Sequence, residues 1–500
     1  MTETKLMMPV SPRQLSHAQL QRAVAALLGA AIGDALGAPF EFGPAGKYLE
    51  AFPEPVLTGT GEMTGGGAFD WAPGEFTDDT QMAVALAESL VACAGGFDPA
   101  HTFLRFQAWA KSATDIGSTT SRALRGKDWR TAAQLGHEAV GQSAGNGSVM
   151  RIAPVGIAGV AWGAQETIRV AFEQSRLTHW EDGAGVGAAI AAELIRRTIL
   201  TGKCEEHIDD ILLLLSEYPF LSADEIAVYG SMLAADWNPH DFDGPTNGSV
   251  WTCLAQAVWA VRNTNSFADA VIAAIELGGD ADTVAAVTGA LAGALYGLQQ
   301  IPTRWATYVN GSVTGPDGKV RTYNNVQLHD LARNLLGMGD CTRTQPERAE
   351  GPKLVDPLGV YAANLDGAAL APVNYGVVSM CITDTRFTNH PLRREVYMRD
   401  NEGKVNSALS YAVREAVEAI EAFLSEGAPV VVHCHGGRSR TGIVLKAWHM
   451  LRHGSSAAEA HEWLSAEWFL YEPYNQTFNR FLENEWPLVV AEMNKKAGGK

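Results

Sequence analysis

The chain has 500 residues, too many for one ordinary domain and enough for two or three. With 46% hydrophobic and 19% charged residues it can bury large cores, which excludes a wholly disordered protein. A formal charge of −18, from 56 acidic against 38 basic residues, repels phosphate backbones and argues against nucleic acid as a partner.

Residues 1–18 read as a flexible lead, and their sequence has no basic stretch followed by an apolar one, so no secretory signal is expected. Cysteines at 93, 204, 253, 341, 381 and 434 are scattered without CxxC pairs. That disfavours a disulfide framework or a thiolate zinc site and fits a reducing cytoplasm. From 19 to 340, alanine-rich segments carry apolar residues at three- and four-residue spacing: Gln21–Leu36, Thr80–Cys93, Gly185–Leu200 and Phe267–Ile275. This predicts a large all-α domain. Gly- and Pro-rich loops at 58–76 and 141–147 interrupt it, and such loops in a helical frame are where sites gather.

Within this domain, GAAIGDALGAPFE (29–41) sets one Asp and one Glu among small residues. Asp34 interrupts an apolar helix, where an unpaired charge is costly, so it either caps a neighbouring helix or supports a site. Glu41, just after Pro39, is a candidate general acid or base. FTDDTQM (76–82) opens a helix, and its plain reading is Thr77 as N-cap with Asp78 and Asp79 at the positive end of the dipole. GGDADT (278–283) repeats that composition before the helical Val284–Leu298. Two acidic helix starts with Asp and Thr oxygens and no Cys or His make a hard-oxygen set suited to Mg²⁺. If the loops meet, four carboxylates repel one another unless cations sit between them, which points to a two-metal centre able to hold hydroxyls and activate water. Thr283–Thr303 is 21 residues without a charge, long enough to cross a bilayer. Its Ala/Gly/Thr composition and the acidic Asp280 and Asp282 favour a buried helix instead, with Gly289, Gly293 and Gly297 on one face for a close helix contact. No membrane partner is expected.

Polar, proline-containing residues around 341–351 read as a linker, and 352–495 as a small α/β domain. Val377–Ile382 and Pro429–His433 are β-branched runs, whereas Lys404–Ser425 and Thr441–Leu451 have helical periodicity. VVVHCHGGRSRTG (430–442) is a strand, a Gly-containing loop and a helix start, with Cys434 and Arg440 six positions apart. Successive N–H groups and a helix N-terminus form an anion nest, Arg440 can grip two phosphoryl oxygens, and the same positive field favours the Cys434 thiolate. A small buried hydrophobe is the alternative for Cys434.

Four motifs in order, GAAIGDALGAPFE (29–41), MTGGGAFDWAPGEFTDDTQM (63–82), GNGSVMRIAPVG (145–156) and GGDADTVAAVTGALAGALYG (278–297), resemble the ADP-ribosylglycohydrolase family, all-α hydrolases related to dinitrogenase-reductase-activating glycohydrolase. The resemblance implies Thr77, Asp78 and Asp79 as one half of a binuclear Mg²⁺ site, Mn²⁺ being the alternative, and Asp280, Asp282 and Thr283 as the other. It implies Glu41 as the catalytic or metal-gating glutamate, and Gly145, Asn146, Gly147, Ser148 and Met150 as the loop that receives ribose and diphosphate. Asp115, with Thr119 and Thr120 nearby, falls on the substrate side. His179 resembles a ligand-contacting histidine, a structural one being the alternative. Arg151 is a phosphate partner or the partner of an acidic neighbour. Trp180–Gly183 lacks the proline often found there in relatives, which leaves the adenosine end open.

The second motif resembles the CX5R loop of the tyrosine and dual-specificity phosphatases. This implies Cys434 as nucleophile, Arg440 as phosphate ligand and Thr441 as an aid to the leaving thiolate. His435, Gly436, Gly437, Arg438 and Ser439 would form the phosphate-binding loop, with no cofactor. The general acid falls about 30 to 35 residues before the cysteine in such domains, where Asp400 is best placed and Asp384 second; an ordinary turn or cap is the plain alternative for Asp400. Tyr471–Phe478 resembles the segment packed behind that loop, or is aromatic core. Together these imply a bifunctional cytoplasmic hydrolase: Mg²⁺-dependent cleavage of N- or O-glycosidic ADP-ribosyl linkages on a protein or small molecule, and cysteine-dependent hydrolysis of a phosphorylated substrate. The alternative is a regulatory or toxin-immunity protein that recognises ADP-ribose or phosphate and has one catalytically silent domain.

Overall fold

The computed structural model describes residues 11, 14–340, 348–383 and 385–498. The chain divides into two compact units, one built on Glu62–Ile301 with the stretches before Glu54 and after Tyr308, the other on the chain past the linker together with Pro55–Gly61 and Pro302–Thr307. The last two segments lie inside the expected 19–340 domain yet group with the second unit. Most of the 1–18 lead, most of the 341–351 linker, and Asp384 lie outside the described residues.

The first unit is mostly helical. The periodic segments fall in helices His17–Gly37, Asp78–Ala92, Asp182–Thr201, Phe267–Ile275 and Ala281–Tyr296. Ser16 and Gln19 close a capping box at the start of the first, each satisfying a backbone N–H of the other's segment. His17–Gly37 and Ala281–Tyr296 run antiparallel in backbone contact. A Cβ added at Gly33 would lie 2.0 Å from the Ala285 carbonyl oxygen, at Gly289 2.0 Å from that of Gly29, and at Gly293 2.0 Å from that of Ala25. At Gly37 it would lie 2.4 Å from the Asp282 Cα, so the stripe sets the register that brings Asp34 to Asp282. The expected close face is formed by Gly289 and Gly293. Gly297 instead ends the helix with φ +79°, and the uncharged stretch 283–303 is not one helix. Among the described residues, the helix long and apolar enough to cross a membrane is His17–Phe40, and 89% of its apolar window is buried, as in a core helix.

One departure from an all-helical unit is a hairpin, β1 (Asn310–Thr314) paired antiparallel with β2 (Val320–Asn324) around Gly315–Gly318. Its GPDG turn was a readable signal.

The second unit is α/β. Strands β3 (Lys353–Asp356), β4 (Val360–Asn364), β5 (Gly376–Ser379), β6 (Arg393–Glu395) and β7 (Val430–Cys434) form a sheet in the order β3-β4-β7-β5-β6, parallel except for β3. The two predicted runs are β5 and β7. Central β7 is buried on both faces, Val430 and Val432 in one apolar cluster and Val431 in another, which is why it reads as a continuous β-branched run. The predicted helices are Leu409–Ser425 and Ser439–His453. The first begins at Leu409 and not at Lys404, because the Asn406 side chain accepts the Arg399 N–H (2.9 Å) and donates to the Arg399 carbonyl (3.0 Å), fixing 399–406 as a loop.

Candidate active sites

In the first unit the two acidic helix starts meet. Asp34 is buried, and its carboxylate accepts the Thr77 N–H (2.9 and 3.1 Å to its two oxygens) and the Thr80 N–H (3.0 Å). It therefore caps the Asp78–Ala92 helix from outside. Thr77 holds the N-cap position without a side-chain capping bond, and its hydroxyl donates to Asp79 Oδ2 at 3.3 Å. Thr283 donates to the same oxygen at 3.3 Å. Ligand oxygens of Asp34, Asp79 and Asp282 lie within 4.8 Å of one another, and so do those of Glu41, Asp280 and Asp282. Asp282 thus joins two carboxylate groups, and Asp34 is both a cap and a member of one of them. Asp78 belongs to neither group but lines the same pocket.

Carboxylates packed this way resist ionisation. Burial raises Asp34 to about 6 against its hydrogen bonds, and burial with the charges of Asp115, Asp280 and Asp34 raises Glu41 to about 8. Burial and neighbouring carboxylates hold Asp78, Asp79 and Asp282 well above the usual range, and Asp115 above it. Glu41 Oε2 and Asp79 Oδ1 are buried without a hydrogen-bond partner. Orphaned hard oxygens in a negative cluster fit divalent cations, which would satisfy the lone pairs and offset the repulsion.

A cavity of about 250 Å³ opens on this cluster. Glu41, Asp280, Asp282 and Thr283 form one wall, Asp115 and Gly117–Thr120 another, and Gly145–Gly147 with Met150 and His179 a third. Asn146 donates to Asp280 Oδ2 at 2.8 Å, tying the glycine loop to the acidic one. A Cβ at Gly147 would lie 2.8 Å from His179 Cε1, so the glycine admits the ring. His179 is buried, hydrogen-bonded to Thr178 (2.8 Å), and lowered to about 3 by burial and by Arg151, hence neutral. Ser148 does not line the cavity: it is buried, and its hydroxyl donates to the Ala184 carbonyl. Arg151 takes neither role read from the sequence. It is buried, donates to the Gln174 side chain and carbonyl and to Thr178, and lies over the Phe106 ring.

Asp34 takes both of the roles open to it, cap and member of the acidic cluster. Two further contributors carry no such signal in the sequence. Asn247 accepts the Asp280 N–H (3.1 Å) and donates to the Gly278 carbonyl (2.8 Å), and no single-residue signal marks it. Phe42 stands at the cavity rim with φ +61° and 69% of its surface exposed, and its N–H donates to the Gly279 carbonyl at 2.6 Å. Left-handed backbone at a bulky residue costs about 1–3 kcal/mol.

In the second unit Cys434 ends β7, buried, and the Ser439–His453 helix begins five residues on. Gly437 has φ +67°, and a Cβ there would lie 2.9 Å from the Ala363 carbonyl oxygen. The Trp468 indole N–H donates to the Gly437 carbonyl at 2.6 Å, and the Leu365 N–H to that of His435 at 3.0 Å, so the loop is braced from two sides. Arg440 donates through Nη1 to the Met380 (2.8 Å) and Met398 (3.3 Å) carbonyls; its Nε makes no hydrogen bond and lies 3.9 Å from Asp400 Oδ2. The Thr441 hydroxyl is buried without a hydrogen bond, and Ser439 is buried beside it. Arg438 instead forms a half-exposed pair with Glu472. Asp400 caps no helix. The Tyr474 hydroxyl donates to its Oδ2 (2.5 Å) and Asn475 to its Oδ1 (3.4 Å), while Thr477 accepts the Gly403 N–H (2.9 Å). The 474–477 segment thus clamps the Asp400 loop beside Arg440.

The carboxylate cluster and the Cys434 loop lie in a hydrolase of two domain types. The family described as ADP-ribosylglycohydrolase matches residues 15–342, about two-thirds of the chain, and the chain belongs to it; the dual specificity phosphatase catalytic domain matches 371–482. The ADP-ribosylarginine hydrolase Tri1 of Pseudomonas putida (strain GB-1) is 33% identical over 311 residues, 58% of this chain and 74% of that protein. The ADP-ribosyl-[dinitrogen reductase] glycohydrolase of Rhodospirillum rubrum is 29% identical over 303 residues, 58% of this chain and 91% of that protein. A solved structure titled ADP-ribosylglycohydrolase-related protein complex is 32% identical, covering 64% of this chain and 98% of that one with a TM-score of 0.47.

Proposed function

We propose that the first domain hydrolyses the bond between ADP-ribose and an arginine side chain with the help of two Mg²⁺ ions. The observation that carries this is the pair of carboxylate groups sharing Asp282, with Glu41 Oε2 and Asp79 Oδ1 buried and unpaired. The activity for which the Pseudomonas relative is named supports arginine as the acceptor. Asp78, Asp79, Asp280, Asp282, Thr77 and Thr283 would hold the ions, which when bound polarise ribose hydroxyls and water. Asp34, its oxygens already taken by backbone N–H groups, fixes the Thr77–Asp79 turn. The Gly145–Gly147 loop receives the ribose and diphosphate, with neutral His179 behind it. Glu41, in one carboxylate group with Asp280 and Asp282, is placed to carry a proton from the attacking water to the departing guanidine nitrogen as the C–N bond breaks and the water oxygen bonds to the ribose carbon.

In the second domain Cys434 attacks phosphorus, Arg440 holds the phosphoryl oxygens, Asp400 protonates the leaving oxygen, and the Thr441 hydroxyl is available to the thiolate. Both activities are read by product release. ADP-ribose should leave an ADP-ribosyl-arginine protein with Mg²⁺ and not with EDTA or after Asp282→Ala. Phosphate should leave p-nitrophenyl phosphate in wild type and not after Cys434→Ser. ADP-ribose release that persists in EDTA would refute the metal-dependent reading.

A further inference from the structure

The reaction proposed above leaves one residue of the cavity rim unused. Phe42 follows Glu41 directly and is held in the left-handed region by its hydrogen bond to Gly279 and by the antiparallel bridge of Gly43 with Gly279. Its ring is mostly exposed, with Phe69 as a tilted neighbour at 6.5 Å between centroids. A large apolar side chain held strained and in water at the edge of a cavity reads as a contact awaiting its partner.

The charge of the cavity says what that partner is. Glu41, Asp78, Asp115, Asp280 and Asp282 line it, and among the described residues neither Lys nor Arg does. Asp115 belongs to neither of the groups that share Asp282 and is not among the residues that would hold the ions, so cations held there leave its carboxylate uncompensated. An anionic diphosphate is repelled from such a wall and better served by the N–H groups of Gly145–Gly147. A flat aromatic face beside surplus negative charge fits a planar, delocalised cation.

We infer that Phe42 is the acceptor-side platform: its ring takes the face of the guanidinium that carries ADP-ribose, and Asp115 supplies the countercharge. This rests on the arginine-directed reading and deepens it.

The experiment compares wild type, Phe42→Gly and Phe42→Tyr with Mg²⁺, by steady-state release of ADP-ribose from ADP-ribosyl-arginine, inhibition by free ADP-ribose, and thermal melting. Glycine relieves the backbone strain while deleting the ring, so its melting temperature should not fall. It should raise KM for ADP-ribosyl-arginine roughly tenfold and leave the inhibition constant of ADP-ribose unchanged, and tyrosine should restore wild-type KM. An unchanged KM in the glycine variant, or an equal loss of affinity for free ADP-ribose, overturns the assignment while the hydrolase reading stands. A wild type that releases no ADP-ribose sinks the hydrolase reading, and the platform with it.

Discussion

At the scale of single residues, Asp34 meets two demands with one carboxylate: it satisfies the orphan N–H groups of a helix start and stands in the acidic cluster that start delivers. Asp34→Ala leaves the Thr77 and Thr80 N–H groups unpaired in a buried place, at a cost of about 1–3 kcal/mol, and frees Asp79 to move. The rise in melting temperature on adding Mg²⁺ should then shrink, and Asp34→Asn should keep more of it. Tyr474 has a comparable place beside Asp400. Tyr474→Phe should lower kcat severalfold on phenyl phosphate, whose poor leaving group needs a proton, and little on p-nitrophenyl phosphate, whose leaving group does not. The Asp and Thr oxygens of the acidic cluster were legible because the composition occurs twice at helix starts. Arg151 was not, since a guanidinium satisfied by Gln174, Thr178 and an aromatic ring looks in a one-dimensional string like any arginine beside a glycine loop.

At the scale of elements, helix existence followed from apolar spacing, and register did not. The crossing of His17–Gly37 with Ala281–Tyr296 depends on glycines with no room for a methyl group. Gly33→Ala or Gly289→Ala drives a Cβ into a main-chain carbonyl that cannot retreat without separating the helices. Either should cost about 3 kcal/mol or more, read as a lower denaturation midpoint, and should weaken Mg²⁺ binding because Gly37 meets Asp282 one turn away. Strands β3, β4 and β6 escaped notice for a different reason. Each has only three to five residues, and β3 and β6 include charged ones, so periodicity had too short a window in which to speak. The central β7, buried on both sides, spoke plainly. The late start of the Leu409–Ser425 helix was hidden because it is set by a side chain bonding to a backbone seven residues earlier.

At the scale of the whole molecule, the acidic cluster links stability to pH and metal. Asp34 and Glu41 have folded-state values, about 6 and about 8, above those of the unfolded chain, so the folded state binds more protons. Their contribution is fully present below the unfolded values and is lost as pH rises through the folded ones. In EDTA, the melting transition of the first domain should therefore fall between pH 5 and pH 8. On the proposed two-ion reading Mg²⁺ binds the ionised cluster and should raise it most at the upper end, and Asp282→Ala should mark which transition responds. Differential scanning calorimetry over that range checks the sign.

The backbone contact between His17–Gly37 and Ala281–Tyr296 also orders events during synthesis. The long apolar helix His17–Phe40 is made well before its mate, which ends some 260 residues later, a wait of roughly 13 to 50 seconds at ordinary elongation rates. Throughout that interval a segment with the length and hydropathy of a bilayer span is in water without its mate. The acidic cluster of the first unit, whose carboxylates come from both of these helices, assembles only when the second of them has emerged.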